Sequence, residues 1–237
     1  MTSKSNNFFI KNIYYFLFFI FFLIGVFTFK DYGISVDEEF QRFSGFYWLN
    51  YILEFTTFEH LKENALVKLK TISGFTLPNP KDFPFYGVIF DLPLAFLETI
   101  FNIQNERNYF LIRHFFNFFI FFLSSIYFYK ILRSRYKNEK IILIGTLFYI
   151  TSPRIFGDIF FNNKDIIFLS LTTIAIYYKF KLIDNFNNIN LVYFAIFSAL
   201  ACASRIVGIF IPISFLLFIL FSALNKKDYL NNLKNTS

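Results

Sequence analysis

The chain alternates between long apolar runs and shorter polar segments. Positions 8 to 29 are almost wholly apolar, with Lys11 as the one charged residue near the start, and this run is long enough to cross a bilayer. It exceeds the roughly 7–15-residue apolar core of a signal peptide, and no small-residue cleavage pattern follows it. It therefore reads as a retained transmembrane helix, with Lys11 free to snorkel to the surface. Residues 30–108 are polar to mixed. Within them Phe40, Phe43, Tyr47, Tyr51 and Phe55 fall at helical spacing, which predicts an amphipathic helix over 37–55. Ser35 is placed to cap it, with Glu38 three residues on as the partner of a capping box. Gly74, Pro78, Pro80 and Pro84 break the middle of the segment. Residues 85–101 predict a second short helix lying in the membrane interface, interrupted at Asp91-Leu92-Pro93.

Further apolar runs follow at 109–132, at 141–152 (ending on Ser152-Pro153) and from Asp165 to about Tyr178, with a loop over 153–164 between the last two. Residues 190–224 are too long for one vertical span. Ala203-Ser204-Arg205 in their middle predicts two short helices meeting at a polar break. The expected architecture is an all-α, polytopic transmembrane helical bundle of about six spans. It forms a single membrane domain over 1–237, with two interfacial helices in a long first loop and a polar tail at 225–237.

Composition agrees. The chain is 56% hydrophobic and 16% charged, whereas a soluble domain is about 45–50% apolar and about 25% charged. One cysteine, Cys202, rules out an intrachain disulfide framework, and one cysteine with two histidines is too few for a zinc centre. The net charge of +7 raises the question of nucleic acid. However, the basic residues sit mainly in short loops between apolar runs, the distribution that orients a membrane protein. With the N-terminus inside, the inner segments hold twelve basic and three acidic residues, and 30–108 with 153–165 hold nine basic and thirteen acidic. Both termini are thus expected in the cytoplasm and residues 30–108 outside it.

The candidate chemistry concentrates where the first span emerges. Asp37, Glu38 and Glu39 follow it closely. They are either a solvated helix N-terminus, where the dipole favours acids, or a general base or metal ligand held at the membrane face. Asp158, Asn162, Asn163, Lys164 and Asp165 fall on the same side, either as an ordinary polar loop or as part of a shared polar site. Arg113, His114 and Asn117 lie in or at the start of a span, where charge either snorkels or faces a partner. Arg205 has apolar sequence on both sides, and it either ends two helices or meets an anionic lipid headgroup. Asp91 and His60 read as solvated loop or helix-end residues. No glycine-rich phosphate loop, Walker motif or nucleophile elbow is present.

One span, then an Asp-Glu pair in a long outer loop with surface helices, resembles the integral-membrane GT-C glycosyltransferases. The likeness is to the protein O-mannosyltransferase and lipid A aminoarabinose transferase group. Residues 109–117 with Arg113, His114 and Asn117, the stretch from Ser152-Pro153-Arg154 to Asn163-Lys164-Asp165, and Ala203-Ser204-Arg205 are similar in order and spacing. The resemblance implies sugar transfer from a polyprenyl-phosphate donor, on the extracytoplasmic face, to a lipid, glycan or protein acceptor, in the inner membrane of a bacterium. It makes Asp37 and Glu38 the catalytic pair. Arg205, Arg154 and Lys164 would then hold the donor phosphate, with Arg113, His114, Asn117, Asp158, Asn163 and Asp165 in support. A divalent metal is an alternative source of charge for the leaving group. Members of the group are usually about twice as long, so the chain reads as a short form, an N-terminal part or one half of a complex with a C-terminal partner chain. The alternative class is a non-enzymatic membrane protein or inactive fragment that binds a lipid-linked sugar or assists a partner.

The topology is testable. A single cysteine at position 64, Asn64→Cys in a Cys202→Ser background, is expected to react with an impermeant maleimide in intact cells. Labelling only after lysis would reverse the orientation.

Overall fold

The computed structural model of the protein describes residues 2–72, 77–83 and 86–235, so Gly74 and Pro84 lie outside the described residues. All regular structure among them is helical. The ten α-helices are α1 (Thr2–Thr28), α2 (Val36–Leu53), α3 (Glu59–Ile72), α4 (Asp91–Ile100), α5 (Glu106–Arg135), α6 (Glu139–Thr151), α7 (Pro153–Asp158), α8 (Asp165–Asp184), α9 (Asn188–Ser204) and α10 (Phe210–Asn235). Short 3₁₀ turns occupy Pro80–Asp82 and Ile206–Ile209.

Local chemistry explains most boundaries. The helices α5, α6 and α9 each begin after an asparagine (Asn105, Asn138, Asn187) whose side chain accepts the N–H two residues on. This satisfies one of the orphan donors of a helix N-terminus. The longest, α5, carries Glu106 in its first turn and Arg133 and Arg135 in its last, matching the helix dipole at both ends. Pro153 stops α6, because the residue before a proline is pushed out of the helical region, and opens α7 as its first residue.

Among the described residues, three helices are long and apolar enough to cross a membrane, at Glu106–Arg135, Asp165–Asp184 and Ile206–Leu224. Ile13–Thr28 and Asn188–Ser204 are shorter apolar helices. Facing apolar side chains pack the helices together: aromatic Phe21, Phe118, Phe121 and Phe160 in one cluster, and the largely aliphatic Leu94, Ile167, Leu171 and Phe194 in another. The ends of α5 and α8 farthest from α4 are joined by Arg135 and Asp184, 3.3 Å apart.

The loops depart from expectation in three ways. The first loop holds three α-helices rather than two, because α3 is largely polar and shows only a narrow apolar stripe through Leu61, Ala65, Leu69 and Ile72. The second apolar helix starts at Asp91 rather than at 85, so Pro93 falls in a first turn, where its missing N–H is not needed. And 153–164 is not all loop, since α7 forms within it. The helices α2, α3 and α4 share a small core of Phe46, Leu49, Leu53, Ala65, Ile72 and Ala95. At Gly45 the backbones of α2 and α4 approach so closely that a Cβ would lie 2.6 Å from the Asp91 carbonyl oxygen.

A buried ionic network ties this cap to the spans. Glu98 on α4 accepts both arms of a fork from Arg42 on α2, one of them through Nε at 3.1 Å. Lys68 on α3 lies 3.4 Å from Glu98 and donates to the Ile103 carbonyl at 2.5 Å. Arg42 also stacks 3.6 Å from the centre of the Tyr109 ring on α5. Removing one partner of a buried pair strands the others and typically costs about 3–5 kcal/mol. Glu98→Gln keeps the shape and removes the charge, so a loss of that order is expected in the thermal unfolding of detergent-solubilised protein. An unchanged midpoint would show that the network does not hold the cap.

Candidate active site

Consecutive residues on a helix point about 100° apart, and this divides the acidic pair. Glu38 turns inward and is 2% exposed. Its carboxylate accepts the Ser35 N–H at 2.7 Å, closing the start of α2, and is hydrogen-bonded to His114 Nε2 on α5 at 2.8 Å. His114 in turn lies with Nδ1 3.4 Å from the Phe29 carbonyl, beyond the end of α1. Asp37 turns outward and is exposed. It lines a cavity of about 490 Å³ together with Phe40, Gln41, Tyr86, Asn162, Lys164, Asp165 and Arg205.

The opposite wall is set by the break between α9 and α10. Arg205 is fully extended (φ −144, ψ 134) and ends α9. Tyr86 bridges backbone to backbone with Arg205, and the Gly87 N–H donates to the Ser204 carbonyl at 3.1 Å. A Cβ at Gly87 would fall 1.6 Å from the Ala203 carbonyl oxygen, so only glycine lets the 86–87 segment clamp the break. The Arg205 guanidinium contacts the Asp165 carboxylate. Lys164 lies with Nζ 4.4 Å from the centre of the Tyr86 ring and 5.3 Å from that of Phe40. Asn162 accepts the Asp165 N–H at 3.0 Å and donates to the Asp165 carboxylate at 3.1 Å, which shapes the turn leading into α8.

Beneath the cavity, Asp91 receives Arg113 at 3.1 Å and Asn163 at 2.7 Å on the same oxygen. It is 3% exposed, so the reading of Asp91 as solvated is corrected: a carboxylate flanked by apolar residues was buried and paired rather than wet. Burial pushes its carboxyl up to about 6, against the opposing pull of Arg113, Lys164 and Asn163. Burial also lowers the Lys164 pKa, with Asp91 and Asp37 pulling it back up. The Asp91–Asn163 bond anchors the residue next to Lys164 and so holds that cation at the cavity.

The structure therefore brings Asp37, Lys164, Asp165 and Arg205 together. Arg113, His114 and Asn163 lie behind them as supports, and Asn117 is wholly buried with neither amide atom hydrogen-bonded. Arg154 does not reach the cavity. Its side chain is 86% exposed and pairs with Asp158 at 3.0 Å, one turn along α7. Among the described residues, no three of His, Cys, Asp and Glu come together in a way that would hold a metal ion. Glu98, Arg42 and Gln41 have no role in the sequence reading, and Asp91 has only that of a solvated residue. The available signals were the carboxylates inside the apolar stretch of α4 and the spacing of Gln41 one turn after Asp37.

Residues 92–234 match the family model for dolichyl-phosphate-mannose-protein mannosyltransferase, and this is more than half of the chain. The chain belongs to that family of GT-C glycosyltransferases and is an integral membrane protein. No curated protein and no solved structure matches it. The matched segment contains Arg113, Asn163, Lys164, Asp165 and Arg205 but begins after Asp37. The carboxylate is thus joined to the family-matched cations by the fold.

Proposed function

We propose that the protein transfers a sugar from a polyprenyl-phosphate donor to an acceptor hydroxyl on the extracytoplasmic face, with Asp37 as general base and Arg205 and Lys164 holding the donor phosphate. The observation that carries this reading is a single cavity with one exposed carboxylate from α2 facing two cations from the α8 turn and the α9–α10 break. Apart from Arg205, the residues lining that cavity come from the two segments, 30–108 and 153–165, that the charge distribution assigns to one side of the membrane.

The chemistry needs little more. The acceptor oxygen attacks the anomeric carbon while its proton passes to Asp37. The bond from that carbon to the phosphate oxygen breaks, and the electron pair leaves with the polyprenyl phosphate. A phosphate departs without a general acid, so one carboxylate suffices, unlike the two of glycoside hydrolysis. The charge gathering on the phosphate is stabilised by donors already in place. Arg205 offers a planar fork, and Lys164 a point charge. Asp165 holds the Arg205 guanidinium before the donor arrives. Glu38 acts as a positioning residue, since it ties the start of α2 to His114 and so aims Asp37 outward. The phosphate site consists of Arg205 and Lys164 without Arg154.

Two outcomes test the assignment. General-base catalysis is typically worth about 10²–10⁴-fold, so Asp37→Asn is expected to lower transfer by that order while donor binding and membrane insertion survive. Asp31→Asn, on an exposed residue outside the cavity, is the control. Equal activity of the two variants would remove Asp37 from the mechanism. For the cations, Arg205→Lys should weaken binding of farnesyl phosphate partly and Arg205→Leu more, because lysine keeps the charge and loses the fork. Wild-type affinity in both would make Arg205 only a helix-end residue.

A further inference from the structure

Gln41 follows Asp37 by one helical turn, so the two side chains share a face of α2 and line the same cavity. They differ in depth, as Asp37 is exposed whereas Gln41 is 4% exposed. The Gln41 carbonyl Oε1 is buried and has no hydrogen-bond partner. A buried acceptor without a donor is rare in folded proteins and calls for an explanation. The cations on the far wall do not supply one: Lys164 is drawn onto Tyr86 and Phe40, and Arg205 contacts Asp165 through its terminal nitrogen while its buried Nε–H makes no hydrogen bond to Gln41. A phosphate cannot supply one either, because an ionised phosphate carries oxygen acceptors and no hydrogen to give. The missing group must bear an O–H or N–H.

We propose that Gln41 is a specificity-determining residue that accepts a hydrogen bond from a hydroxyl of the sugar being transferred; this rests on the donor-binding reading above. The geometry divides the cavity. Arg205 and Lys164 take the phosphate, and Asp37 faces the open side from which the acceptor hydroxyl arrives. The ring attached to the phosphate lies between them, against the closed wall where Gln41 sits. A site built to receive a hydroxyl discriminates strongly against an analogue that lacks it, because its own polar group is then left unpaired.

The test is Gln41→Met, which keeps the side chain's length and approximate volume and removes the orphan carbonyl. Removing an unpaired buried acceptor does not destabilise the empty protein, so the thermal midpoint without ligand should equal or exceed that of wild type. Affinity for farnesyl phosphate should be unchanged. Affinity for the tightest-binding of farnesyl phosphates carrying mannose, glucose or galactose should fall about tenfold, the equivalent of one hydrogen bond. Removing the ring hydroxyls of that probe one at a time should find one whose loss weakens wild type by a similar factor and Gln41→Met no further. Gln41→Glu, which retains an acceptor oxygen, should still discriminate against that deoxy probe. The proposal is overturned if Gln41→Met lowers the midpoint of the empty protein, if it weakens farnesyl phosphate and its glycosylated form equally, or if wild type binds no glycosylated probe better than farnesyl phosphate. Failure of wild type to bind farnesyl phosphate at all would instead remove the donor-binding reading, and this inference with it.

Discussion

The buried carboxylates of α4 are the constraint on which the rest depends. Asp91 and Glu98 lie seven residues apart, two turns along one helix, and each is claimed by cations from other elements. Glu98 gathers Arg42 from α2 and Lys68 from α3. Asp91 gathers Arg113 from α5 and Asn163 from the turn before α8. An isolated charge in such a place would be too costly to bury, and pairing makes it tolerable. Four separate segments are therefore registered on a single short helix. A sliding error in any of them would strand a charge in a low-dielectric interior.

That registration explains why the candidate site is a cavity with two dissimilar walls. One wall is the start of α2, steadied by the Glu38 contacts to Ser35 and His114. The other is the interrupted end of α9, where an extended Arg205 and a glycine at 87 allow two backbones to touch. Both walls sit where helices start or stop. Unpaired polar atoms occur in and behind these walls: Gln41 Oε1 and Arg205 Nε in them, Asn163 Oδ1 and two nitrogens of Arg113 behind. A fully satisfied network would rigidify the fold and leave nothing for a ligand to bond.

The family comparison and the geometry contribute different halves. The match begins at residue 92, just after Asp91, and so includes the cations with Asn163 and Asp165. It says nothing of α2, whose carboxylate is assigned from its place in the cavity. The asymmetry has a physical counterpart. The cations stand on the spans or in turns tied directly to them, whereas Asp37 belongs to the cap that the α4 network clamps down.

What the sequence determined by itself is the part governed by local rules. Runs of apolar residues longer than a bilayer's apolar thickness, polar breaks, prolines and the asymmetry of basic residues made the helical membrane class and its main elements legible. Ser35 and Glu38 announced the start of α2, and Ala203-Ser204-Arg205 announced the break after α9. The tertiary structure alone decided the pairings. Nothing in the spacing of Asp37 and Glu38 distinguishes the outward acid from the inward one, because that depends on which face of α2 meets α5. Asp91 resembled a wet helix end until Arg113 and Asn163 were seen on it, while Arg154 resembled a phosphate ligand until α7 turned it to solvent. The polar α3 carried too faint an apolar stripe to be read. Its docking joins that stripe to Lys68 reaching Glu98, a contact thirty residues away along the chain that no local pattern encodes.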